Sequence, residues 1–224
     1  MKNIALILAS GTGSRSGLDY PKQFFTVNNK TILEYTVEKF QNNENIDEII
    51  LVTNAEYVEK VKSLTKKYSK VVNVLQGGET RKDSSFNGIS SIDYPEGNIL
   101  IHDGVRPLVS DEIINNCISA LNHHSAVCTA IPSTDTIYVV DNNDKILNVP
   151  RRKTLKRAQT PQCFKLTLIK KAHELAKNDT QCVVTDDCGL VMNYKLTDVY
   201  TIDGAESNIK ITYPEDIEFF KSHI

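Results

Sequence analysis

The stretch Ile4-Ala5-Leu6-Ile7-Leu8-Ala9-Ser10-Gly11-Thr12-Gly13-Ser14-Arg15-Ser16-Gly17 decides how this chain is read. The apolar run Ile4–Ala9 has the length of a strand and is too short to span a bilayer. A glycine-rich segment follows it directly. Glycines let backbone N–H groups approach a phosphate closely, because no Cβ stands in the way. The spacing is not that of a Walker A loop, since no Gly-Lys-Ser/Thr follows, and Ser16 stands where a dinucleotide fold would carry its third glycine. Taken alone, the loop also fits plain turn chemistry. Pro21-Lys22-Gln23-Phe24 adds weight, because it places Lys22 seven residues after Arg15. Two cations and several N–H donors then converge on one spot, as a triphosphate requires.

Outward from this stretch, short apolar runs alternate with helical ones. Strands are expected at Ile4–Ala9, Glu48–Thr53, Val71–Leu75, Asn98–His102, Ser125–Pro132 and Thr197–Ile202. Helices are expected at Thr31–Asn42, Glu56–Tyr68, Asp83–Ile92, Asp111–Asn122 and Thr167–Lys177. This alternation implies an α/β, Rossmann-like fold with a mostly parallel sheet covered on both faces. Ligands in such sheets lie beyond the carboxyl ends of the strands, here just after Ala9, Leu75 and His102. One segment breaks the pattern. Thr136–Val140 and Lys145–Val149 flank Asp141-Asn142-Asn143-Asp144, which reads as a β-hairpin arm over about 134–157. Its apolar face needs cover, and a second subunit is the simplest source. With no linker or internal repeat, residues 1–224 are expected to form one domain carrying this arm.

The formal net charge of -2 gives no global basic field to recruit nucleic acid or an anionic membrane, so any anion-binding cations must be local. The first apolar run lacks a signal peptide's cleavage pattern. Five cysteines without a CxxC pair argue for buried thiols rather than a zinc site or disulfide framework. A cytoplasmic location is the expectation.

LASGTGSRSGLDYPKQF at 8–24 resembles the opening signature of the cytidylyltransferases that activate methylerythritol phosphate and ribitol phosphate. The resemblance continues through GGETRKDSSFNGI at 77–89, IHDGVRPLV at 101–109, DTI at 135–137, AQTPQCF at 158–164, TDD at 185–187 and NIKIT at 208–212. Blocks in the family's order across nearly the whole chain are far more specific than any one loop.

The resemblance implies transfer of CMP from CTP to a small polyol phosphate, with Mg²⁺ as cofactor. Arg15, Lys22 and Lys210 would be catalytic, the first two on the β- and γ-phosphates and Lys210 on the α-phosphate. Ala9, Ser10, Gly11, Gly13, Gly77, Gly78, Arg81, Ser84 and Asp103 would bind the nucleotide, Asp103 near the metal. Ser84 could instead cap its helix, Asp103 could cap the segment after it, and Arg15 could be an exposed loop cation. Arg106, Thr136, Arg152, Thr160 and Thr185 would bind the acceptor. Arg152 and Thr160, both expected on the arm, would reach into the neighbouring subunit of a homodimer with shared sites.

The acceptor is read from departures. Ser10, Tyr138, Cys188 and Gly189 stand where methylerythritol phosphate enzymes carry other residues, and the opening looks most like the capsule-type ribitol-5-phosphate enzymes. The expectation is ribitol 5-phosphate or a similar alditol phosphate, with methylerythritol phosphate as the alternative. A sugar-1-phosphate nucleotidyltransferase is more distant, because it predicts neither Gln159-Thr160-Pro161-Gln162 nor the arm. A non-catalytic binding module would not explain the cations at Arg15, Lys22, Arg106, Arg152 and Lys210.

Overall fold

In the computed structural model, which describes residues 1–11, 19–179 and 181–224, the chain opens with β1 (Asn3–Ala9), the ribbon β2 (Thr26–Val27) and β3 (Lys30–Thr31), and α1 (Ile32–Asn42). It continues through β4 (Glu48–Thr53), α2 (Val58–Thr65), β5 (Val71–Gln76), α3 (Arg81–Ser90), β6 (Asn98–Asp103), α4 (Asp111–Ala120) and β7 (Ala126–Pro132). The hairpin β8 (Val139–Val140) and β9 (Ile146–Asn148) comes next, followed by β10 (Lys156–Lys165) and α5 (Leu166–Ala176). The chain closes with α6 (Asp187–Asn193), β11 (Tyr200–Asp203) and α7 (Pro214–Lys221).

The main sheet runs β11-β7-β10-β6-β1-β4-β5. Every neighbouring pair is parallel except those made by β10, which runs antiparallel to both β6 and β7. Alternation along β1 builds the two layers. Ala5, Ile7 and Ala9 pack with Leu33, Val37 and Phe40 of α1 and Ile113, Ile114 and Cys117 of α4. Ile4, Leu6 and Leu8 pack on the opposite face with Ile89 of α3, Ile169 and Ala172 of α5, and Leu190 and Val191 of α6. A period of two puts successive side chains on opposite faces, so one strand feeds both cores.

Local chemistry starts the helices where they lie. Thr31 and Glu34 form a capping box on α1, Thr80 and Asp83 do so on α3, and Ser110 and Asp186 cap α4 and α6. The expected Asp141–Asp144 turn is present. Asp144 adopts φ 59° and donates its N–H to the Asp141 carbonyl at 3.2 Å. The hairpin strands are shorter than expected, and Thr136 to Tyr138 lie outside them. All five cysteines are buried. No helix among the described residues is long and apolar enough to cross a membrane.

The strand β10 was not foreseen. Its residues Ala158–Phe164 read only as a block of mixed polarity, and Pro161 argues against a central strand. The structure accommodates that proline in a bulge. The pairing jumps from Ala158 opposite Ala130 to Gln162 opposite Cys128, and the Thr129 hydroxyl donates to the Pro161 carbonyl at 2.8 Å.

Gly88 sets how closely α3 lies on the sheet. A Cβ there would fall 2.3 Å from Leu6 Cδ1 and 3.1 Å from Val52 Cγ2, both in fully buried side chains. Helix propensity favours Gly88→Ala by about 1 kcal/mol, whereas overpacking a closed core costs about 1–3 kcal/mol. The overlap should win, lowering the urea unfolding midpoint of Gly88→Ala. An unchanged or higher midpoint would show that helix and sheet separate freely.

Candidate active site

The carboxyl ends of β1, β5 and β6 open onto a cavity of about 370 Å³. It lies where β1 is flanked on one side by β4 and on the other by β6, the crevice at which such sheets take ligands. Ala9, Ser10 and Gly11 line it after β1, as do Gly78, Arg81 and Ser84 after β5. Lys22, Asp103 and Lys210 complete the charged wall. The expected residues Gly13 and Arg15 lie outside the described residues.

The Pro21-Lys22-Gln23-Phe24 turn is anchored by a residue that sequence reasoning passed over. Buried Gln23 donates through Nε2 to the carbonyls of Ala9 at 2.7 Å and Gly11 at 3.0 Å. It therefore ties the end of β1 to the Lys22 turn. Across the cavity, a Cβ on Gly77 would fall 2.4 Å from Ser10 Oγ and 2.6 Å from Ser84 Oγ, so only glycine fits between them. Ser84 Oγ accepts from the Gly78 N–H at 3.2 Å, which gives it a role beyond capping. The helix cap belongs to Thr80.

Asp103 is the electrostatic centre. It is 7% exposed, with Lys210 Nζ at 3.1 Å and Arg106 Nε at 3.2 Å from Oδ2. Arg81 Nε stands 3.9 Å from Oδ1, beyond hydrogen-bonding distance. Burial alone would raise the carboxyl pKa. Lys210, Arg106 and Arg81 together outweigh it and hold the group well below the ordinary carboxylate range. Lys210 occupies an irregular segment after β11. Among the described residues, no group of three or more His, Cys, Asp or Glu side chains is placed to hold a metal. Asp103 Oδ1 has Arg81 Nε at 3.9 Å and no hydrogen bond among the described residues, so it would be the oxygen to face a cation that takes its other ligands from phosphate and water.

Thr160 is not on the arm. It sits in the β10 bulge, 4% exposed, and its hydroxyl accepts from the Asp103 N–H at 3.1 Å. The same hydroxyl lies 3.0 Å from Nδ1 of buried His102, whose Nε2 lies 3.1 Å from the Arg106 carbonyl. Burial pushes His102 down to about 4, so the ring is neutral near pH 7. A carbonyl can only accept, so Nε2 carries the proton and Nδ1 accepts from Thr160. The chain of bonds locks the Asp103 strand end. Arg106 adds a bond from Nη1 to the Asn208 carbonyl at 2.8 Å, tying it to the segment that carries Lys210.

The other acceptor-side residues are scattered. Thr136 and Arg152 are exposed at the base of the arm, with Arg152 Nη1 donating to the Thr134 carbonyl at 3.0 Å. Thr185 is exposed just before α6. Of the four departures, Ser10 lies beside Gly77 on the nucleotide side, Cys188 is buried, and the Gly189 N–H is bonded to the α6 cap Asp186 at 2.7 Å. Tyr138 alone is an exposed side chain on the arm. Sequence reasoning also missed Gln162. Its Oε1 accepts from the Asp187 and Cys188 N–H groups, and its Nε2 donates to Asp186, so it fastens α6 to β10.

A glycine-walled cavity with fixed cations at the carboxyl edge of such a sheet is built for a polyphosphate, as in enzymes that handle nucleotides. The sequence profile of the family described as IspD: 2-C-methyl-D-erythritol 4-phosphate cytidylyltransferase matches residues 3–222. The chain belongs to this family and is a nucleotidyltransferase of the cytidylyltransferase kind. It is 40% identical over 99% of its length to a ribitol-5-phosphate cytidylyltransferase of Vibrio parahaemolyticus, spanning 95% of that protein. It is 42% identical, over 96% of its length, to the bifunctional ribulose 5-phosphate reductase/CDP-ribitol pyrophosphorylase Bcs1 of Haemophilus influenzae, of which it spans only 47%. A 2-C-methyl-D-erythritol 4-phosphate cytidylyltransferase of Clostridium botulinum is 39% identical, with 96% and 94% covered. The structure matches 4-diphosphocytidyl-2C-methyl-D-erythritol synthase of Anaerococcus prevotii with a TM-score of 0.89 and 33% identity, covering 99% of this chain and 97% of that one.

Asp103 and Asp187 both hold folded pKa values below the ordinary 3.8, Asp187 at about 2 beside Arg81 despite its burial. On acidification the unfolded chain takes up these protons first, so their stabilisation is full above about pH 5 and is lost progressively as pH falls through the unfolded value toward the folded ones. Thermal unfolding measured from about pH 5 down to 3 should show the wild type losing more stability than Asp187→Asn across the interval. Parallel profiles would contradict this assignment.

Proposed function

We propose that this enzyme transfers CMP from CTP to ribitol 5-phosphate or a similar alditol phosphate, giving a CDP-alditol and pyrophosphate. The observation that carries the chemistry is the Asp103 carboxylate with Lys210, Arg106 and Arg81 around it, on the wall of a cavity shared with Lys22. The acceptor reading rests on the two relatives whose names specify ribitol. Methylerythritol phosphate remains a second reading, supported by relatives of 38–40% identity that carry that name.

In this reaction an oxygen of the acceptor's phosphate attacks the α-phosphorus of CTP in line. The new O–P bond forms as the bond to the bridging oxygen breaks, and pyrophosphate leaves with that electron pair. A phosphate monoester is largely ionised near pH 7, so no catalytic base is required and positioning with charge stabilisation supplies the rate. Lys22 and Arg15 would hold the β- and γ-phosphates. The Lys210 side chain is 41% exposed against 10% for Arg106, so Lys210 is the cation free to follow charge onto the α-phosphate. Ser10, Gly77, Gly78 and Ser84 would face base and ribose. Mg²⁺, when bound, would neutralise phosphate charge, with Asp103 Oδ1 as its protein ligand. The test is a panel of polyol phosphates with CTP, UTP, ATP and GTP, following pyrophosphate release. CTP should be preferred, and kcat/KM for ribitol 5-phosphate should exceed that for methylerythritol phosphate. The reverse acceptor order would assign the enzyme to the second reading.

The site is completed by a second copy of the chain. Ile137, Tyr138, Val139, Val140, Ile146, Leu147 and Val149 are all exposed on the arm. An isolated two-stranded hairpin is marginal in water, so this apolar surface calls for cover. A two-fold dimer would bring Arg152 and Thr136 of one arm to the other subunit's acceptor side. Arg152→Ala and Lys22→Ala chains, each inactive alone, should regain activity when mixed, because one site of the mixed dimer is intact. An active monomer in solution would refute the shared site.

A further inference from the structure

We infer that Asp187 is a positioning residue for the transfer reaction: it restrains the Arg81 guanidinium between two carboxylates, so that Asp103 stays open to the nucleotide. This inference rests on the nucleotide-binding role proposed above for Arg81 and Asp103. Asp187 is 2% exposed at the first turn of α6. Arg81 Nη1 donates to Asp187 Oδ2 at 2.6 Å, while Arg81 Nε stands 3.9 Å from Asp103 Oδ1. One guanidinium thus spans the gap between a buried anchor and the cavity wall.

The anchor cannot follow the arginine. Its second oxygen accepts from the Ser85 hydroxyl at 2.7 Å and faces His173 Nε2 at 3.4 Å. Its backbone N–H is held by Gln162 of β10, and the residue before it caps the helix. Arg81 is therefore the partner with freedom to move. Without the Asp187 charge, a guanidinium 3.9 Å from a second carboxylate would close onto it, since paired charge-assisted bonds are the strong arrangement for these groups. That closure would occupy Asp103 Oδ1 and take the guanidinium off the cavity wall. Asp187 prevents it without touching the substrate. Its position on α6 also joins the nucleotide helix α3 to the Thr185 segment.

The experiment is a double-mutant cycle on the full-length enzyme, measuring the CTP dissociation constant by calorimetry and KM and kcat by pyrophosphate release. Asp187→Asn keeps the shape and removes the charge, and should weaken CTP about tenfold in both Kd and KM, with kcat changed less than about threefold. In an Arg81→Ala background the same substitution should change either constant less than about twofold, because the group it acts through is gone. Equal effects in the two backgrounds, or none in either, would overturn the inference, since a merely structural role does not depend on Arg81. Should Asp187→Asn fail to fold, Arg81→Lys serves. A single ammonium cannot pair with Asp187 and stand beside Asp103, so CTP should again weaken about tenfold, and unchanged binding would overturn the inference. CTP binding needs no acceptor. A wild type that binds CTP but releases no pyrophosphate with any polyol phosphate would therefore defeat the proposed function while leaving this cycle to be judged by Kd.

Discussion

A carboxylate taken out of water stays ionised only if cations accompany it, and in this protein the burial of Asp103 organises the site around that requirement. Lys210, Arg106 and Arg81 come from three separate parts of the chain. Lys210 and Arg81 also line the adjoining cavity, where they would face a polyphosphate. A folded apoprotein with these cations unopposed would repel itself, whereas a full set of carboxylates would repel the nucleotide. One buried acid among several bases meets both demands.

The antiparallel strand β10 makes that arrangement rigid. Its bulge places Thr160 against the Asp103 N–H and neutral His102, and two residues later Gln162 fastens the start of α6. Bonds between neutral groups hold the strand end in register, so the charged side chains need not. Arg81 and Arg106 are the more buried members, and Lys210 is the more exposed one.

The acceptor question looks different in three dimensions. Three of the four departures that suggested an alditol have local structural or nucleotide-side positions. Ser10 packs at Gly77 and Ser84, Cys188 fills core, and Gly189 receives the helix cap. The remaining one, Tyr138, lies on the arm whose apolar surface is exposed in the single chain. In the proposed two-fold dimer, acceptor choice would belong to surfaces that two chains build together, and single positions in one sequence would then be weak guides to it.

The sequence by itself determined the parallel strands of the sheet, its layers and the edge where the chemistry is expected. Period-two alternation in β1 and helical spacing in Thr31–Asn42 report local burial, and the expected strands at Glu48–Thr53 and Asn98–His102 differ from the observed ones by at most one residue. Family blocks marked Lys22, Asp103, Arg106 and Lys210 as one set. Helices α6 and α7 and strand β10 were not read from the sequence: α6 is only seven residues long, and Pro161 masks β10. Only the tertiary structure decided which charges meet. Asp187 and Arg81 are 106 residues apart, as distant in sequence as unrelated groups, and become partners because α6 and α3 pack on the same face of the sheet. Spacing along a chain constrains neighbours within a helix or strand. Contacts between elements depend on packing, which no local pattern encodes.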